Sequence, residues 1–120
     1  LTTDRGLKEL LDTHGPLLKK VSNSGVKIQI AAPVRKDALD TVKELAQYAQ
    51  IRNISDVEMV EKFAGRLFVV DGQEFVLGLT DDTKIHPTQD VALWTQSSHA
   101  SSSLFDPMFD LVWHHAKPVK

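Results

Sequence analysis

Five polar residues with chemical capability crowd one short segment, FAGRLFVVDGQEFVLGLTDD at positions 63–82: Arg66, Asp71, Thr80, Asp81 and Asp82. Arginine carries a planar fork of N–H donors that suits an anionic or hydroxyl-bearing ligand. Val, Phe and Leu crowd both sides of Asp71-Gly72, the strongest short hairpin signal in the chain. The polar groups therefore decorate two short strands joined at a tight turn. They could be a working active site, the remains of one, or the solvated edge of a sheet.

Each residue has a plainer reading beside the chemical one. Arg66 is either a ligand clamp or a strand-end charge, and the two readings stand level. Asp71 reads first as the residue that builds the turn. The aspartates of TDDTKIHPTQD at positions 80–90 invite a hard cation. They lack the Asp-x-Asp-x-Asp-Gly order and the closing glutamate of a calcium loop, so a solvated loop is the better reading and no metal site is expected. Five histidines are available as nucleophiles or bases. His14 falls on the apolar stripe of a helix and reads as packed. His86 precedes Pro87 in the polar loop, within approach of Asp81 and Asp82. His99, His114 and His115 lie in or near the last helix, and the adjacent pair points about 100° apart, which is wrong for an i, i+4 metal pair.

The elements that must position these groups alternate between helix-like and strand-like. Thr3 and Asp4 can cap a first helix with Leu7, Leu10, Leu11, His14, Leu17, Leu18 and Val21 on one stripe, interrupted by a kink or restart near Pro16. NSG at 23–25 ends it. VKIQIAAP at 26–33 reads as a strand, Asp37 opens a second helix, and IRNI at 51–54 reads as a short strand. The hairpin strands cover 66–70 and 74–79, a polar loop follows over 80–89, and DVALWT at 90–95 is a further strand. SSHASSS at 97–103 caps and begins a last helix carrying Leu104, Phe105, Met108, Phe109, Val112 and Trp113, with Pro107 at its first position or at a kink. Trp94 and Trp113 read as core anchors or interface residues. The order predicts an α/β fold with a mixed sheet flanked by helices.

Composition sets the limits. The chain has 120 residues, 42% hydrophobic and 25% charged, which is the make-up of one soluble globular domain over 1–120. No apolar run approaches the ~18 residues that span a membrane, and no signal peptide opens the chain. Cysteine is absent, which removes disulfides and thiolate chemistry and fits a cytoplasmic protein. The formal charge is −2 and the basic residues are scattered, so no basic face for duplex binding is visible. The first residue is Leu1, not Met, and we read the chain as an excised domain or processed product.

The hairpin segment is similar to the signature of the phospholipase D superfamily, in which His-x-Lys-x4-Asp is followed by Gly-Ser-x-Asn. The histidine position is Ala64, the lysine Arg66 and the aspartate Asp71; the later glycine is Gly78, the serine Leu79 and the asparagine Asp81. In that family the histidine attacks phosphorus, and the lysine and asparagine hold phosphate oxygens. Alanine has nothing to attack with, so the resemblance implies a phospholipase D-like half-domain that is not an enzyme. RLFVVDGQEFVLGLTDD, HPTQDVALWT and the closing LFDPMFDLVW further resemble the C-terminal domain of archaeal TrmB-type transcriptional regulators.

The resemblance implies a non-catalytic effector and dimerisation domain. A small-molecule effector would be met by Arg66, Asp71, Thr80 and Asp81, no cofactor is expected, and DNA would be reached only through a segment missing from this chain. A two-fold homodimer is expected, because the superfamily's enzymes complete a site from two motifs and this chain holds one. Two alternatives remain from other classes: a phosphodiesterase or nuclease with an unorthodox nucleophile, and the sensory domain of another signalling protein.

Overall fold

The computed structural model describes residues 1–55, 66–71, 73–78 and 91–119. Helix α1 spans Asp4–Asn23, and it begins where Thr3 Oγ1 accepts from the Gly6 amide at 3.0 Å. It runs on through Pro16 without a restart, although that residue leaves the Asp12 carbonyl without its usual amide donor. Its end is a Schellman turn. Val26 N donates to Val21 O, Gly25 N donates to Ser22 O, and Gly25 sits at φ 91, a left-handed position that glycine adopts without a Cβ penalty.

Strand β1 (Gln29–Ala32) lies parallel to β2 (Gln50–Asn53), with Ile30 opposite Ile51. A 3-10 turn at Lys36–Ala38 and helix α2 (Leu39–Leu45) join them. Strand β3 (Arg66–Val70), β4 (Glu74–Gly78) and β5 (Ala92–Thr95) form an antiparallel meander. A helical turn α3 (Ser98–Ala100), a π-helical turn (Ser101–Phe105) and α4 (Asp106–His115) then follow without a break. Ser97 caps this stretch by accepting from the Ala100 amide at 3.2 Å. The wide π turn sits directly ahead of Pro107, which has no N–H to give to the turn behind it. Strand β6 (Lys117–Pro118) closes against β2 in antiparallel sense.

The fold is α/β, but the strands are not in one sheet. Among the described residues two three-stranded sheets form, β1-β2-β6 and β3-β4-β5. The first two residues stitch them together: the Leu1 amine donates to Leu67 O at 3.0 Å, Leu67 N donates to Leu1 O at 2.9 Å, and Thr2 N donates to Ala31 O at 2.9 Å. A two-residue link carries no alternation, which is why the sequence pattern points to one sheet while the strands separate into two.

The first sheet is covered on both faces. Leu7, Ile30, Ala32, Val42, Leu45 and Ile51 form a core with α1 and α2. Ala31, Ile54, Trp113 and Ala116 form a second with α4, joined by Leu1, Phe109 and Val112. Arg52 locks the latter: its guanidinium lies 4.3 Å from the Trp113 ring centre and donates to Trp113 O at 2.7 Å, satisfying a helix-terminal carbonyl. Asn53 Oδ1 accepts from Val34 N and from both Ser55 N and Oγ, pinning the chain beyond β1 and β2.

Candidate functional site

Helix α1 is longer than the sheet beneath it. Its 20 residues extend about 30 Å, whereas a four-residue strand covers about 13 Å. His14 and Leu17 are exposed while Gly15 is buried and Leu18 packs on the core, so His14 is not the packed residue that its place on the apolar stripe suggests. A groove of about 570 Å³ lies between α1, β1 and β3, bordered by Glu9, Leu10, His14, Ile28, Arg66 and Phe68.

Arg66 lies at the rim of this groove. Its Nη1 is 3.4 Å from Glu9 Oε2, and Arg5 Nε is 3.4 Å from Glu9 Oε1. One carboxylate thus sits between two guanidiniums, and the three side chains together carry net positive charge. All are half exposed, so each pair contributes less than about 1 kcal/mol. The floor is apolar and the rim carries the Arg66–Glu9 pair, an arrangement suited to a ligand with an apolar body and a polar end.

Asp71 stands elsewhere. It occupies the turn between β3 and β4 at φ 53, where Gln73 N donates to Val70 O at 3.0 Å. From Arg66 to Asp71 is the full length of β3, about 16 Å. Ala64, Leu79, Thr80, Asp81, Asp82 and His86 lie outside the described residues. Gly78 is paired with Arg66 across the hairpin; a Cβ there would meet Arg66 N at 3.6 Å, an ordinary contact, so no steric demand for glycine arises.

The remaining histidines are dispersed. His99, His114 and His115 are exposed, and His114 Nδ1 lies 2.6 Å from Asp110 O within its own helix. Among the described residues no three His, Asp or Glu side chains gather as a metal site. Trp113 is core. Trp94 is not: it is 57% exposed on β5. Glu9 and Phe68 escape sequence reasoning, because Glu9 meets Arg66 across 57 positions and only the fold brings them together.

The fold has been seen in TrmBL2. That structure is described as "TrmBL2, an archaeal chromatin protein, shows a novel mode of DNA binding"; it superposes with a TM-score of 0.65 and 20% identity over 89% of this chain. The match covers 40% of TrmBL2, so the chain spans about two-fifths of that protein. At such identity the likeness speaks for the fold alone. No family model matches the sequence, and the curated proteins contain no significant match. No helix among the described residues is long and apolar enough to cross a membrane.

Proposed function

We propose that these 120 residues form the non-catalytic effector and dimerisation domain of an archaeal, TrmB-type transcriptional regulator. The observation that carries this reading is a fold shared, over nearly the whole chain, with part of an archaeal DNA-binding chromatin protein. A phospholipase D-like ancestry accounts for the hairpin spacing, and Ala64 at the nucleophile position accounts for the loss of chemistry. Arg66, on a groove with an apolar floor, is the residue assigned to an anionic effector. The resemblance adds Thr80 and Asp81 to that site, whereas Asp71, a strand's length from Arg66, is left to build the turn. DNA contact falls to other parts of the regulator, since the charge here is −2 and no basic run exists. The domain acts as a two-fold dimer in the cytoplasm.

Two assays on the chain test this reading. It should release no nitrophenol from bis-p-nitrophenyl phosphate and leave duplex DNA unshifted at physiological salt. Turnover above a blank that Arg66→Ala abolishes would establish a phosphodiesterase instead. Restoring histidine alone, Ala64→His, should not revive hydrolysis, because Leu79 and Asp81 also depart from the pattern and Asp81 repels a phosphate.

A further inference from the structure

Leu1 and Thr2 hold the place of a strand between the two sheets. Leu1 exchanges both backbone bonds with Leu67, at 3.0 and 2.9 Å, which is the hydrogen-bonded pair of an antiparallel ladder. On the other side Thr2 N donates to Ala31 O at 2.9 Å, as the next strand of a parallel ladder would. Both strands they meet are edges, β1 in the order β1-β2-β6 and β3 in the order β3-β4-β5. These bonds fix a direction. A chain running back from Leu1 passes Ile30, Gln29 and Ile28 on one side, and Phe68 and Val69 on the other. The groove of about 570 Å³ lies along that path: Ile28, Gln29, Ile30, Leu67 and Phe68 border it, with Leu1 itself in its wall.

The backbone beside the groove is turned to receive a strand. Ile28 O and Ala32 O accept from Gln50 N and Ile54 N, so the even-numbered residues here serve β2. Alternation turns Gln29 and Ala31 to the groove, and Ala31 O already holds Thr2 on that side. In β3 the same alternation, counted from Leu67, turns Val69 that way. The surroundings are apolar on both faces. Leu10, Leu18 and Ile28 pack with the core under α1, whereas Leu1 packs with Ala31, Ile54 and Trp113 on the α4 side. Side chains of a strand alternate, so a residue before Leu1 faces α1 and the one before that faces α4. A strand buried on both faces is a continuous apolar run.

We infer that this groove is a strand slot, and that its occupant is an apolar segment leading into Leu1 in a longer polypeptide. Parallel to β1 and antiparallel to β3, that strand joins the two sheets into one mixed sheet. From Ala31 back to Ile28 the slot runs about 10 Å, room for about three residues. By register Arg66 stands opposite Thr2, so the strand leaves the Arg66–Glu9 rim to an effector. The slot is independent of the regulator reading, which sedimentation and hydrolysis test separately. Hydrogen exchange tests it on three chains: residues 1–120, the same with Val-Ile-Val before Leu1, and the same with Asp-Asp-Asp there. Both leaders bring the same backbone carbonyls, and only the first suits apolar faces. With Val-Ile-Val the amides of Ala31, Val69 and Gln29 each gain an acceptor and should exchange at least about 100-fold more slowly. The Ile54 amide, which already donates to Ala32 O, serves as the reference. Exchange of the three amides that is no slower, relative to Ile54, with Val-Ile-Val than in either other chain overturns the slot.

Discussion

At the residue scale, the Leu1 amine is the group that the fold perturbs most clearly. Burial lowers its pKa from 8.0 to about 5, so at neutral pH it meets Leu67 O as an uncharged donor. Below about pH 5 both folded and unfolded chains carry the proton, and above pH 8.0 neither does. Between those limits only the unfolded chain binds it, so stability of a chain beginning at Leu1 should rise with pH, by at most about 1.4 kcal/mol per unit. Urea titrations across that window should show the slope, and N-terminal acetylation should remove it; a flat profile would refute the burial. Arg66 makes a complementary prediction. The ion pair that Arg66→Ala removes with Glu9 is half exposed and should be worth less than about 1 kcal/mol. The same change should abolish benzoate-induced NMR shifts at Glu9, His14 and Phe68, using benzoate as a probe with an apolar ring and a carboxylate. Shifts that are scattered over the chain, or indifferent to the substitution, would remove the effector site.

At the element scale, local chemistry was legible and long-range pairing was not. The spacing of Leu7, Leu10, Leu11 and Leu18 marks α1, Thr3 marks its start, and the glycine of NSG its end, because helix caps and stripes are written within a few residues. Asp71 likewise marks the β3–β4 turn. The division into two sheets depends on Leu1 meeting Leu67, and the groove depends on Glu9 meeting Arg66. No periodicity carries such contacts. His14 reads as packed because a stripe shows which face is apolar and not where a groove opens beneath it. Two substitutions test α1. Thr3→Ala removes the cap and should cost about 1 kcal/mol. Pro16→Ala restores an amide at an exposed position within the helix and should stabilise the chain by about 2 kcal/mol. Thermal unfolding reads both, and a stable Thr3→Ala or a destabilised Pro16→Ala would contradict the description of the helix.

At the scale of the whole molecule, the two sheets have different circumstances. The first is buried between α1 and α2 on one side and α4 on the other. The second is anchored by Phe75, whose ring centre lies 3.7 Å from that of Phe105, and it leaves Phe68, Leu93 and Trp94 to solvent. A domain that works by pairing needs such a face, and association is the central claim of the proposed function. Sedimentation equilibrium of the wild-type chain at micromolar concentration tests it most directly. The account predicts a species of twice the 13.4 kDa chain mass, and a single-chain mass, both for these residues alone and within a longer polypeptide that carries them, would contradict it.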